Sequence, residues 1–283
     1  MSPRDLAIGA VFAGAIAVLA LRAHALTRSG AIAAFVVGTL TYGAGTLGFT
    51  LVLLAFFVPS VLLSRFGRAR KRGLVDVGKH GARDALQVLA NGGVATACAV
   101  AWALTNDPRW AFAFAGAYAA ATADTWATEI GTLAKRQPRS ILTLRPVATG
   151  LSGGITLTGT LAEIGGALWI GAVGLAGIGL AYMFSPFDDG ISYQGAFYPA
   201  PGAMMLRLVA IPIGGVVGAT LDSVLGATVQ ELRRCDACER ACETDPHDCG
   251  GPTRRVRGLP GFSNDTVNLT ATAAGAAVAF ALG

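Results

Sequence analysis

Residues 31–63 read AIAAFVVGTLTYGAGTLGFTLVLLAFFVPSVLL, a stretch without a single acid or base. A bilayer core of about 30 Å takes roughly 20 apolar residues in a helix. The stretch is therefore long enough for two passes, with a break at Gly43-Ala44-Gly45. Its first half is short, which leaves a full pair of spans and a re-entrant hairpin both open. Either way the chain is at home in lipid.

Working outward, similar runs recur at Leu6–Leu21, Ala85–Leu104, Trp110–Ala123 (helical on through Gly131), Ile155–Met183, Ala203–Val229 and Val267–Leu282. Counting two in 31–63, that makes eight. The expected fold is all-α: a polytopic membrane helix bundle of about eight spans, one integral membrane domain over 1–283. A small Cys-rich insert interrupts it at 232–258. Composition agrees, because 53% of residues are hydrophobic and only 14% charged, against about 25% charged in soluble domains. The mean hydropathy is +0.55. Thirty-eight glycines suit close helix packing in lipid, and no G-X-Y period points to collagen.

The formal charge of +5 raises the question of nucleic acid, and its placement argues against that partner. Arg22, Arg28, Arg65, Arg68, Arg70, Lys71, Arg72, Lys79, Arg83, Lys135, Arg136, Arg139, Arg145, Arg233, Arg234, Arg240, Arg254, Arg255 and Arg257 all fall in loops of one parity, 19 of the 22 basic residues. Only Arg4, Arg109 and Arg207 fall on the other. By the positive-inside rule these loops are cytoplasmic and both termini are outside. In a prokaryote the membrane would be the plasma membrane. The outer loop 184–202, with Phe184, Phe187, Asp188, Asp189, Tyr193 and Tyr198, suits an interfacial belt.

Polar residues gather at the same side. Asp84, Gln87 and Asn91 share one helical face. Asp124, Thr125, Thr128 and Glu129 close one span, Thr156, Thr160 and Glu163 open the next, Asp222, Ser223 and Gln230 close another, and Asn264, Asp265 and Asn268 open the last. Each carboxylate costs about 2.5–3.5 kcal/mol at the centre of a membrane helix, so four on one level argue for a site. Asp84, Thr156 and Asn264 serve equally well as helix caps. Ala121-Thr122-Ala123-Asp124-Thr125 echoes Ala219-Thr220-Leu221-Asp222-Ser223, as a duplicated helix pair would. The glycines of Gly150-Leu151-Ser152-Gly153-Gly154 precede a helix start, where free amides favour anions; no Walker lysine follows. Carboxylates beside Lys and Arg suit a magnesium–polyphosphate ligand.

Cys235-x2-Cys238-x3-Cys242-x6-Cys249, with His247 nearby, falls in a cytoplasmic loop, where disulfides are rare. The spacing suits a structural zinc site in which His247 can replace one thiolate. Cys98 alone reads as packing.

Asp124-Thr125-Trp126-Ala127-Thr128-Glu129-Ile130-Gly131, Ser152-Gly153-Gly154-Ile155-Thr156, Asp222 through Gln230, and Asn264-Asp265-x-Val267-Asn268 resemble the signatures of one integral-membrane family. That family is domain of unknown function ninety-two, which includes transmembrane protein nineteen and phytyl phosphate kinase. The resemblance runs from about residue 5 to 282. It implies a membrane kinase that passes a phosphoryl group from CTP or another nucleoside triphosphate to an isoprenoid monophosphate, giving the diphosphate. In that reading Asp124, Glu129 and Asp222 hold Mg2+, with Asp265 as a fourth ligand. Arg83, Lys135 and Arg139 grip phosphates, while Asn91, Gln230, Asn264 and Asn268 orient oxygens. Ser152, Gly153, Gly154 and Thr156 supply donors to a phosphate. Two alternatives from other classes stand beside it: a cation-coupled transporter, and a transferase of the CDP-alcohol type.

Overall fold

A computed structural model describes residues 1–66, 81–183, 201–243, 245–247 and 249–283. The basic residues Arg68, Arg70, Lys71, Arg72 and Lys79, and nearly all of the aromatic outer loop, lie outside the described residues. The helices are α1 (Pro3–Arg22), α2 (Arg28–Arg65), α3 (Ala85–Thr105), α4 (Pro108–Gly131), α5 (Leu157–Met183), α6 (Pro201–Thr228) and α7 (Asn264–Leu282). Two short strands, β1 (Arg139–Ser140) and β2 (Gly154–Ile155), pair between α4 and α5. The insert folds as an antiparallel sheet in the order β4-β3-β5, from β3 (Leu232–Cys235), β4 (Ala241–Cys242) and β5 (Thr253–Arg257).

Helix α2 is one element with a sharp break. Gly45 and Thr46 leave helical geometry, Thr46 with φ of 49° and ψ of −138°. Gly43, next to the break, meets Leu6 and Met1 at the start of α1, while Gly9 of α1 meets Thr39 and Tyr42. At the other end the Arg65 guanidinium donates to the carbonyl of Ala23, which caps α1. Both ends of α2 thus lie beside the end of α1, so the helix doubles back at Gly45-Thr46. Each arm is about 26 Å long at 1.5 Å per residue.

Six helices among the described residues are long and apolar enough to cross a bilayer: α1, α2, α3, α5, α6 and α7. The eight runs expected from sequence become seven helices, α2 taking two of the runs as its arms. The remaining helix, α4, stands outside the six because of its surroundings. Every residue from Ala111 to Ala123 is buried, and α2, α3, α5, α6 and α7 all pack on it. A helix enclosed by protein does not need large apolar side chains for lipid. It needs small ones, so that its neighbours can approach. A Cβ added at Gly218 of α6 would stand 2.4 Å from the Cβ of Ala120, and one at Gly275 of α7 would stand 2.8 Å from the Gly116 carbonyl. Away from the polar end, Phe49 stacks on Phe114 at 4.2 Å and tilts against Trp102 at 4.9 Å. Leu104, Leu157 and Val11 point outward, each more than two-thirds exposed, as lipid-facing side chains should be.

Candidate functional site

The ends of six helices and the β1–β2 loop surround a cavity of about 750 Å³. It takes Arg65 from the end of α2, Gln87 and Asn91 from α3, and Asp124, Thr125, Thr128 and Glu129 from α4. Thr160 and Glu163 come from α5, Asp222 and Ser223 from α6, and Asn264 and Asn268 from α7. Arg83, Ser152, Gly153, Gly154, Thr156 and Gln230 come from the connections. Of the site residues expected from sequence, Lys135, Arg139 and Asp265 do not line it. Lys135 and Arg139 are exposed, and the Arg139 guanidinium donates to the Leu144 carbonyl at 2.8 Å.

Several of these side chains have local duties that place them. Asp84 caps α3 in a capping box with Gln87, so the helix starts with Gln87 and Asn91 on the cavity side. Asn91 spends its Nδ2 on the Gln87 carbonyl, 2.9 Å away. The Thr156 hydroxyl accepts from the Gly159 amide at 3.0 Å, as an N-cap does. Asn264 is not a cap, since Ser263 holds that place on α7. Gly153 has φ of +82°, and a Cβ there would stand 2.4 Å from the Ala227 Cβ. Only glycine fits between this loop and α6. The Gly154 amide donates to the Leu151 carbonyl at 3.0 Å, so it tightens the turn.

The electrostatics are unusual for the end of a membrane bundle. Asp222 feels the charges of Asp124, Glu243 and Glu163, and Asp124 feels Glu163 and Glu129. Glu163 is buried and accepts from the Thr220 hydroxyl at 3.1 Å. The Asp222 Oδ2 atom is buried with no hydrogen-bond partner among the described residues. Two lining guanidiniums oppose these acids, Arg65 and Arg83. Burial pushes the Arg83 guanidinium below its usual range, and Glu129 acts in the other direction.

A buried carboxylate oxygen without a donor, in a cluster of acids, fits a cation. The acids do not form a ready-made cage, because the one group of three or more ligand atoms gathered for a metal among the described residues lies elsewhere. Mg2+ takes one or two carboxylates and completes its octahedron with water and substrate phosphate. Asp222 and Asp124 could supply those carboxylates.

The group with metal-ligand geometry is Cys235, Cys238, His247 and Cys249, whose ligand atoms all lie within 4.8 Å of one another. Cys242, the remaining zinc candidate from sequence, is not in that group and is buried in β4. The Cys238 amide holds the Cys235 thiol down to about 7. One residue that braces the cavity wall was not found by sequence reasoning. Glu243, next to Cys242, accepts from the Ser152 hydroxyl at 3.0 Å and from the Gln230 side-chain amide. Its partner Ser152 is 91 positions away, and no local pattern announces such a contact.

Comparison with known proteins fits this picture. Protein PGR of Arabidopsis thaliana is 30% identical over 282 residues, covering 93% of this chain and 91% of that protein. An uncharacterized membrane protein of Methanocaldococcus jannaschii is 32% identical over 231 residues, 74% of this chain and 92% of its own length. One from a Synechocystis strain is 29% identical over 203 residues, 70% of this chain and 69% of its own. No solved structure matches. Residues 11–276 match the family described as Integral membrane protein DUF92, and the chain belongs to that family.

Proposed function

We propose that the cavity transfers a phosphoryl group from a nucleoside triphosphate, CTP or another, to an isoprenoid monophosphate. The observation that carries this reading is a second, apolar slot joined to the polar cavity. It lies between α1, the two arms of α2 and α3, and includes Phe12, Ile16, Tyr42 and Leu53. Phe56, Arg83, Gln87 and Asn91 line both spaces. A ligand fitting both has one thin apolar chain and one polyanionic head, with the head at Arg83. That is the shape of a lipid phosphate, and it favours a lipid-processing enzyme over a carrier for free ions.

The chemistry asks little of the protein beyond position and charge. An anionic oxygen of the acceptor phosphate forms a bond to the γ-phosphorus, and the bond from that phosphorus to the β-bridging oxygen breaks. The nucleoside diphosphate leaves, and no proton has to be removed first. Asp124 and Asp222 would hold a divalent ion, whose chemistry would be to offset charge on the phosphates. Arg83 and Arg65 stand opposite the acids to bind phosphate oxygens. Asn91, Gln230, Asn264 and Asn268 offer side-chain amides to orient them. Alignment of the two phosphates supplies the rest of the rate.

The test is direct. Purified protein in detergent micelles receives radiolabelled prenyl monophosphate, Mg2+ and each nucleoside triphosphate in turn. Formation of labelled diphosphate is expected with at least one donor. If no donor gives it, while the protein moves a solute across proteoliposomes without nucleotide, the kinase reading is wrong.

A further inference from the structure

The insert carries four ligand atoms that converge with no bond between them. Cys235 Sγ lies 3.5 Å from Cys249 Sγ, and Cys238 Sγ lies 3.8 Å from Cys249 Sγ. His247 Nδ1 lies 3.5 Å from Cys238 Sγ and 3.0 Å from Cys249 Sγ. A tetrahedral zinc, with Zn–S of about 2.3 Å and Zn–N of about 2.0 Å, spaces its ligands about 3.8 Å apart for sulfur pairs and about 3.5 Å for sulfur and nitrogen. A disulfide would need about 2.05 Å, and no disulfide joins the insert's cysteines. The amides of Ala237 and Cys238 donate to Cys235, and that of Gly251 to Cys249. Gly251 passes so close that a Cβ there would stand 2.9 Å from the Cys235 sulfur. The backbone is wrapped around the sulfurs.

Energetics explain why a metal is needed there. Between β3 and β5 the buried side chains are few: Leu232, Cys235, Cys242 and His247. Strand β4 has only two residues. A sheet this small buries too little apolar surface to hold itself, and small scaffolds meet that deficit with a metal or disulfides. Two of those four, Cys235 and His247, belong to the ligand set.

We propose that Cys235, Cys238, His247 and Cys249 bind a structural Zn2+, and that this metal holds Glu243 against Ser152 and Gln230 of the cavity wall. The path is short. Cys235 ends β3, which pairs with β4 at Arg233 and Cys242, and Glu243 follows directly. Its carboxylate takes hydrogen bonds from Ser152 and Gln230, both of which line the cavity. Glu243 is a positioning residue that fixes the glycine loop and the Gln230 amide. This inference stands independently of the phosphoryl-transfer reading, because neither zinc nor Glu243 touches a reacting atom.

The test uses the full-length protein in detergent micelles. Metal analysis should find zinc equimolar with the chain, Cys249→Ser should lose it, and Cys242→Ala should keep it. Equal retention in Cys249→Ser, or equal loss in Cys242→Ala, would overturn the site. Should a variant fail to fold, cobalt titration of chelator-treated wild-type protein decides. Strong thiolate-to-cobalt charge transfer with tetrahedral bands upholds the site, and a weak octahedral spectrum removes it. For the link to the cavity, hydrogen exchange over residues 148–156 is compared in wild type before and after chelation, and in metal-loaded Glu243→Ala, which removes the accepting oxygen. Exchange about tenfold faster or more in both cases is expected from a released segment. Unchanged exchange after chelation would break the connection.

Discussion

Asp222 holds a buried carboxylate oxygen with no donor among the described residues, close enough to Asp124, Glu243 and Glu163 for their charges to matter. Such an arrangement works against folding, since each buried charge is desolvated and repelled by the others. Residues of this kind trade stability for function. The prediction has two signs. Asp222→Asn and Asp124→Asn should each lower turnover of the prenyl phosphate by about 100-fold or more, the scale set by removing one preorganised electrostatic group. Both should leave the thermal midpoint in detergent unchanged or raised. A midpoint that falls together with activity would mean the acids serve the fold. The sequence revealed these two positions because carboxylates inside apolar runs are conspicuous. It could not separate caps from ligands at Thr156 and Asn264, where one residue type serves both ends. Glu243 was hidden for another reason: it sits among cysteines, and its partners come together only in three dimensions.

Among the elements, α4 shows where hydropathy stops being informative. Its Ala, Gly and Thr residues are chosen for closeness rather than for lipid, so a scan tuned to lipid-facing helices passes over it. The run of small residues did mark it as helical, and only packing shows that it is the central helix. Near its end, the short echo between Ala121–Thr125 and Ala219–Ser223 has a spatial counterpart. Gly116 of α4 and Gly214 of α6 are equivalent under that echo, and Gly275 of α7 sits between their two carbonyls. A Cβ on Gly275 would lie 2.8 Å from the Gly116 carbonyl, 3.0 Å from that of Gly214 and 2.7 Å from the Ala120 Cβ. Backbone cannot yield as a flexible side chain can. Gly275→Val should therefore cost about 2–3 kcal/mol through overpacking, read as a lowered midpoint in a detergent melt. Gly93→Ala, whose new Cβ would meet only Leu89 at 3.9 Å, should leave it unchanged. Equal behaviour of the two variants would mean that α7 does not seat as described.

At the scale of the whole molecule, the cavity and the termini occupy opposite ends. Met1 lies by Gly43 next to the α2 break, and Gly283 lies against Phe112 near the start of α4, both far from Asp124 and Asp222. If the basic loops face the cytoplasm, as the positive-inside rule expects, a reporter active only outside the cell should work when fused after Gly283. Activity of a cytoplasmic reporter there instead would reverse the orientation. The apolar slot runs from the polar cavity toward the end that holds the termini. Gly30 packs against the Arg83 carbonyl and Tyr42 lines the far end. Twelve helical residues separate Gly30 from Tyr42, about 18 Å at 1.5 Å per residue. Tyr42→Ala should shift preference toward longer prenyl phosphates by lowering that floor, and Ala34→Phe should exclude long chains by plugging the middle. Relative kcat/KM across a chain-length series reads both effects. A photoreactive tail on an unreactive prenyl phosphonate reads the same slot with no nucleotide present. Labels expected on α1, α2 and α3 would survive a failure of the kinase reading, whereas labels confined to α5 or α6, with unchanged chain-length preference in both variants, would put the tail elsewhere.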